Sequence, residues 1–375
     1  MVCEHLTWAE VDLAAIQNNL RQMKALTGVR VMAMVKANAY GHGLAAVARA
    51  AERAGADWLG VVSVAEGLAL RSAGVAAPIL VLGYTPPPLV AVALGGNLAL
   101  TVFDWDVAQA CSAAGRASGC PARLHVKVDT GMGRLGVAPA EVPAFVSAVG
   151  ALAEVQVEGI LTHFARADEA DDTYTQRQLA QFEEVLQTLI ARGQRPPLVH
   201  AANSAAAIAL PSARYDLVRM GIALYGLAPS ADVPCPPEFI PALSWKTIIT
   251  QVKTLPPGSA ISYGGEYVTT GFETLATVAV GYGDGFRRRP RGSHYTDEVL
   301  IHGRRAPVRG RICMDQMVVS VNDVPQARVG DEVVLIGRQG AAGISADEVA
   351  QRWGTINYEV TTGIAARVTR LYTGE

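Results

Sequence analysis

From about residue 30 to 220, short apolar runs alternate with alanine-rich amphipathic stretches, the pattern of repeated β-α units around a parallel sheet. Eight strands can be counted, at 31–35, 58–62, 78–82, 97–103, 123–128, 155–162, 197–201 and 215–220. Helix-like segments between them, such as LAAVARAAERAG at 44–55 and YTQRQLAQFEEVLQTLIARG at 174–193, end in glycine as C-cap chemistry favours. Eight such units predict an α/β fold, a (β/α)8 TIM-type barrel. The proline-rich stretch APSADVPCPPEFIP at 228–241 ends the pattern. Beyond it, short alternating runs with Gly and Pro turns, among them KTIITQVKTL, ETLATVAVGYG and DEVVLIG, predict a mostly β module. The expected division is a barrel over 12–235 and a β-strand domain over 236–375, joined by residues 1–11 as an extra strand.

Composition narrows the picture. With 375 residues, half of them hydrophobic, the chain can bury a large core, and a net charge of −2 gives no global reason to bind nucleic acid or an anionic membrane. The basic run FRRRPRG at 286–292 is short and isolated, and reads as a solvated loop. Five cysteines, at 3, 111, 120, 235 and 313, show neither CxxC spacing nor nearby His ligands. That argues against a disulfide framework or structural zinc, and for a reducing, cytoplasmic setting with no metal. The N-terminus carries acids and no apolar core of a signal peptide. The longest uncharged run, 72–103, is broken by PPP at 86–88 and by Gly95-Gly96, so no membrane span is expected.

The candidate chemistry starts at Lys36, one of five lysines, which closes the apolar run VMAMVK and opens KANAYGHG. Partial desolvation there favours the free amine that condenses with an aldehyde, although a lysine snorkelling from a strand end would leave the same pattern. Other polar residues fall at or just beyond the C-terminal ends of the expected strands: Lys127 and Asp129, His163, Asn203 and Ser204, and Arg219. Each alone has a structural explanation, Ser204 as the N-cap of the AAAIAL segment for example. In a barrel, however, those ends converge on one mouth. Ser204 and the amides of MGIALYG at 220–226 suggest a phosphate site. A lysine amine with a phosphate site implies pyridoxal 5'-phosphate. GMGRLG at 131–136 fits GxGxxG but follows the fifth strand rather than opening the first βαβ unit, so it reads as a false match to a dinucleotide fingerprint.

Together, VKANAYGHG at 35–43, KVDTGMGRLG at 127–136, THFARADE at 162–169, ANSAA at 202–206, VRMGIALYG at 218–226, ISYG at 261–264, GYGDG at 281–285, CMDQ at 313–316 and INYE at 356–359 resemble the alanine racemase family of fold-type III pyridoxal-phosphate enzymes. The resemblance spans nearly the whole chain and keeps motif order. It implies that Lys36 holds the cofactor and is the base on the D-alanine side, and that Tyr263 is the opposite base, reaching the site from the second subunit of a head-to-tail homodimer. It assigns Arg219 to the pyridine nitrogen, His200 to the support of Arg219, and His163 to the neighbourhood of the ring. Tyr40, Asn203, Ser204, Gly221, Ile222 and Tyr358 fall on the phosphate motif, and Arg134 and the Met314 amide on the substrate carboxylate. Lys127 matches a lysine that is carbamylated in many members, with Tyr282 and Asp315 as supporting residues.

The implied function is racemisation of alanine, supplying D-alanine for bacterial peptidoglycan, on a small-molecule amino-acid substrate with no nucleic-acid or membrane partner. Three positions depart from the family pattern: Gly283 in GYGDG, Arg166 in THFARADE, and the tail NYEVTTGIAARVTRLY, which lacks the usual cysteine and proline. Arg166 lies near the inferred entrance, which leaves a broader amino-acid (serine) racemase open, and a fold-type III amino-acid decarboxylase after it. A non-catalytic pyridoxal-phosphate carrier is the third reading, opposed by the β domain.

Overall fold

The protein is described by a computed structural model covering residues 6–288 and 297–374, so most of the basic run at 286–292 and Cys3 lie outside the described residues. The chain divides into two compact units, one of residues 14–39 and 44–241, the other of residues 6–13, 40–43 and 242–374.

The first unit is the barrel. Its eight parallel strands are Arg30–Met34, Trp58–Val61, Ile79–Val81, Ala99–Val102, Ala122–Lys127, Val155–Leu161, Leu198–His200 and Leu217–Met220, the first seven paired in succession. The first and eighth also pair, Met32 opposite Arg219. The ring closes where the Asp216 amide donates to the Val199 carbonyl at 3.1 Å and the Arg219 amide to the Ala202 carbonyl at 2.9 Å. Most strands are buried along their length, as a sheet covered on both faces requires. Alanine lets the outer helices approach: Leu44–Arg53 buries Val47, Ala48, Ala50 and Ala51. Glycine ends the helices as the pattern anticipated, with left-handed Gly55 after Leu44–Arg53 and Gly193 after Thr173–Ala191.

The second unit is built on one long strand, Leu243–Leu255, which pairs antiparallel with Thr7–Asp12, Glu273–Val278 and Glu332–Gln339. The N-terminal segment is thus the extra strand of the β module, with Ala9 opposite Trp245, and it also pairs in parallel with Thr369–Thr373. Trp245 is fully buried at the centre.

One assignment changes. Residues 40–43, expected inside the barrel domain, cluster with the β unit. The reason lies in two glycines: a Cβ on Gly41 would stand 2.0 Å from the Thr361 carbonyl oxygen, and one on Gly43 1.9 Å from the Tyr372 hydroxyl. Arg370 then donates to the Gly41 carbonyl at 3.0 Å. No helix among the described residues is long and apolar enough to cross a membrane.

Candidate active site

Arg219 leaves the eighth barrel strand almost fully buried. Its guanidinium donates to the Thr162, His200 and Ala201 carbonyls at 2.8, 2.9 and 2.7 Å, and to Nδ1 of His200 and of His163, each at 3.1 Å. Burial brings its pKa down to about 10, which leaves it charged at neutral pH. A guanidinium has donors only. Both Nδ1 atoms are therefore acceptors, and each of these histidines carries its proton on Nε2. Burial first, and then the Arg219 charge, holds both imidazoles well below their usual pKa, so they are neutral.

Lys36 follows the first strand. Burial and then the Arg134 charge lower its pKa, against the opposing pull of Glu66. The backbone just beyond it is unusual: Ala37, Asn38, Ala39 and Tyr40 all have φ between 52° and 53°. Four consecutive left-handed non-glycine residues cost about 1–2 kcal/mol each, the kind of strain that surrounding structure must hold in place. Glu66 supplies part of that hold. Its carboxylate accepts from the Ala37 amide at 2.7 Å and the Val62 amide at 2.8 Å, while Asn38 Oδ1 accepts from the Leu44 amide at 2.9 Å.

Lys127 ends the fifth strand with 5% exposure. Burial, then Arg219 and Arg134, against Asp129, brings its pKa down to about 8. Asp129 does not face a cation alone; its Oδ1 accepts from the Gly131 and Gly133 amides, both at 3.0 Å. This explains GMGRLG. Gly131, Gly133 and Gly136 all have positive φ, and the next α-helix, Val142–Gly150, starts well after them. The glycines wrap a loop around one carboxylate, and no dinucleotide turn is present here.

At the seventh strand the N-cap differs from expectation. Asn203, with its side chain accepting from the Ala206 amide at 3.0 Å, caps the helix Ser204–Ala209. Ser204 is the first helical residue, and its hydroxyl accepts from the Gly221 and Ala223 amides at 2.8 and 3.3 Å. Ile222, fully buried, lies between them. The structure thus brings Ser204, Gly221 and Ile222 together as a group of hydroxyl and amides.

In the second unit, the Tyr40 and Tyr358 rings lie 6.1 Å apart, and burial raises the Tyr40 pKa to about 12. Tyr263 is 64% exposed. It follows Ser262, whose φ of 62° and ψ of −170° lie in a region normally left to glycine. The Arg288 guanidinium sits 5.8 Å from the Tyr263 ring and 5.9 Å from that of Tyr282. Loops 281–285 and 313–316 pack backbone on backbone, with the Gly283 amide donating to the Met314 carbonyl at 2.8 Å. Arg367 ties them together, donating to Asp284 at 2.8 Å and Asp315 at 2.7 Å.

Three residues at these positions escaped the sequence reading. Glu66 carried a misleading signal, since Ser63 and Glu66 fit an S-x-x-E capping box. The Glu66 amide does bond the Ser63 hydroxyl, at 3.2 Å, but the carboxylate turns to the lysine turn instead. His125 and Glu158, inside expected strands, had no motif at all; His125 Nδ1 lies 2.9 Å from His200 Nε2.

A closed (β/α)8 barrel with a depressed-pKa lysine and a buried arginine at its strand ends, followed by a β unit, defines a barrel enzyme of the strand-end lysine class. The chain matches the family description "Alanine racemase, N-terminal domain" over residues 11–229 and "Alanine racemase, C-terminal domain" over 242–372. It is 51% identical to the alanine racemase of Symbiobacterium thermophilum, over 98% of this chain and 97% of that protein. Among solved structures it is similar to alanine racemase from the D-cycloserine-producing Streptomyces lavendulae, with a TM-score of 0.94 and 38% identity over 100% and 98% of the two chains. The Bacillus anthracis alanine racemase with bound L-Ala-P gives a TM-score of 0.92 and 41% identity over 100% and 97%. The chain belongs to the alanine racemase family, and it is an isomerase.

Proposed function

We propose that the protein racemises L- and D-alanine with pyridoxal 5'-phosphate, using two bases on opposite faces of Cα. The reading is carried by the Lys36 amine, depressed in pKa, at the same strand ends as the buried Arg219 guanidinium. The residues present fit the cofactor on charge. Lys36, Lys127, Arg134 and Arg219 act on one another, and the carboxylates opposing them, Glu66 and Asp129, already accept backbone amides. Such a surplus suits a phosphate and a substrate carboxylate. The cofactor, when bound, supplies the electron sink that makes the α-proton of an amino acid removable.

The chain's own residues divide the remaining work. Ser204 and the Gly221 and Ile222 amides, with Tyr40 and Tyr358, hold the phosphate, and Asn203 fixes the helix that carries Ser204. Arg134 and the Met314 amide hold the carboxylate. Lys36 takes or returns the proton on one face, and Tyr263 of a second copy does so on the other, since one fixed base cannot serve both. Arg219 has no proton to release at neutral pH, so a pyridine nitrogen held against it would receive none, which would restrain side reactions. His163 accepts from Arg219 at Nδ1 and presents its Nε2 proton to the ring's surroundings. Carbamylation of Lys127 requires the neutral amine that burial favours, and would convert a cation near Arg134 into its anionic partner. Tyr282 and Asp315 keep the two loops of the second unit in place. D-alanine made in the cytoplasm would serve peptidoglycan synthesis.

The purified protein should show visible absorbance that borohydride abolishes, leaving the reduced cofactor covalently attached to the Lys36 peptide. Circular dichroism should follow both alanine enantiomers to the same racemic end point. Enantiomers left unchanged by cofactor-loaded protein would overturn the proposal, and release of carbon dioxide would favour decarboxylation. Serine and larger amino acids belong in the same panel, because Arg166, paired with Glu169 at 2.6 Å, lies three residues beyond His163.

A further inference from the structure

Behind Arg219 the barrel interior contains a line of polar groups that racemisation as described leaves unused. His200 Nε2 lies 2.9 Å from His125 Nδ1, and His125 Nε2 lies 3.8 Å from Glu158 Oε2. The second gap is an ion-pair distance, too long for a hydrogen bond. Both histidines are fully buried, whereas the Glu158 side chain is 19% exposed. An apolar barrel layer would pack as well without them. Their presence needs another reason.

Local structure builds the line. Pairing of the fifth and sixth barrel strands runs Leu124 with Val157 and then His125 with Gly159. Glu158 is therefore the extra residue of a β-bulge, a device that re-aims a side chain. Its carboxylate faces His125 as a result. Gly159 makes the room: a Cβ there would stand 2.2 Å from His125 Nδ1. His125 also shares a strand face with Lys127, two residues further along.

Arg219 at one end of the line and the Glu158 carboxylate at the other favour the same direction of bonding. Because Arg219 only donates, His200 accepts at Nδ1 and carries its proton on Nε2. That proton points to His125 Nδ1, so His125 carries its own on Nε2, toward Glu158. Reversing His200 would set its Nδ1–H against the guanidinium, and reversing His125 alone would set its Nδ1–H against the Nε2–H of His200.

We propose that Glu158 and His125 are positioning residues that hold His200 in the tautomer able to accept from Arg219, and through it fix the guanidinium. The proposal rests on the reading of these strand ends as a pyridoxal-phosphate site with Arg219 toward the ring. Removing the carboxylate leaves the His125 Nε2 proton without its anionic neighbour and Arg219 alone to hold the direction, so the reversed line gains population.

The test uses the full-length, cofactor-loaded protein. Imidazole nitrogen-15 spectra at pH 7, assigned with His125→Gln, should show His125 and His200 neutral and protonated on Nε2. Glu158→Met should populate the opposite tautomer and lower kcat for alanine roughly 5- to 100-fold, the range for Arg219 losing its one buried acceptor on the His200 ring. KM should stay within about twofold, and Glu158→Gln, which retains an acceptor, should recover most of the loss. A charged or Nδ1-protonated His200 in the parent protein overturns the proposal even if the variants fail to fold. So does a Glu158→Met enzyme with parental tautomers or parental kcat. A parent protein that does not racemise alanine would instead count against the proposed function, since the tautomers are read without substrate.

Discussion

Lys127 shows what a single buried charge does to this fold. Its pKa falls from 10.5 to about 8, chiefly through burial. Between those values the unfolded chain holds a proton that the folded chain has released, so stability rises with pH across that window. Below about pH 8 the penalty is present in full, and the gap corresponds to about 3 kcal/mol. Lys127→Met should therefore be more stable than the parent at pH 7 in carbonate-free buffer, with the difference fading as pH approaches 10.5. Denaturant titrations of both proteins across that range check it, and a difference that does not change with pH would exclude the amine as its source. Bicarbonate should remove the difference if Lys127 carries a carbamate. Gly283 poses a steric question of the same scale. A Cβ there would come within 2.6 Å of an Arg367 guanidinium nitrogen and 3.0 Å of the Met314 carbonyl oxygen. The guanidinium nitrogen that would be met is the one paired with exposed Asp315, a surface pair that contributes little if it moves, while alanine restricts the unfolded chain. Gly283→Ala should change stability by less than about 1 kcal/mol in either direction. A loss of more than about 2 kcal/mol in a chemical-unfolding experiment would show that the Met314 backbone, not Arg367, sets the space.

Among the elements, the left-handed turn after Lys36 is the most strained. Ala37 is exposed, has φ of 53°, and uses its amide but no side-chain contact to bond Glu66. Glycine relieves about 1–2 kcal/mol of that conformation and gives back about 0.5–1 kcal/mol in unfolded-state entropy. Ala37→Gly should thus raise stability by up to about 1 kcal/mol, read as a higher melting temperature, and an unchanged or lower value would mean that the turn is not strained. Nothing in KANAYGHG announced four left-handed residues, because among them only Asn38 is of a type enriched at positive φ, and Gly41 and Gly43 lie beyond them. The barrel strands were legible because each is a short apolar run buried on both faces, and the glycine helix ends followed from C-cap geometry. Motif residues at strand ends were legible for the same reason: a barrel gathers such positions. Contacts set by the tertiary fold were not. Ser204 resembled a cap until Asn203 took that place and the Gly221 amide claimed the hydroxyl. The bulge that turns Glu158 inward depends on how two strands pair, which neither strand's own sequence reveals.

At the scale of the whole molecule, the residues proposed for catalysis differ in their surroundings. Lys36 and Arg219 are enclosed by the barrel, whereas Tyr263 and Met314 are 64% and 53% exposed on the β unit. An acid-base tyrosine in open water lacks the fixed, water-poor surroundings that make proton transfer efficient. A second copy of the chain, packed head to tail, would complete each site with Tyr263 from its partner. That arrangement can be tested without a structure of the assembly. Lys36→Ala and Tyr263→Phe proteins should each be nearly inactive in alanine racemisation. Unfolded and refolded together in equal amounts, they should form mixed dimers in which one site carries both lesions and the other carries neither. Random pairing makes about half of the dimers mixed, so racemisation should return to about a quarter of the parental rate per chain. Sites contained within single chains would give no recovery, since every chain would then carry its own lesion. Recovery that rises with the fraction of mixed dimers, separated by different affinity tags, would place the two bases of one site on two chains.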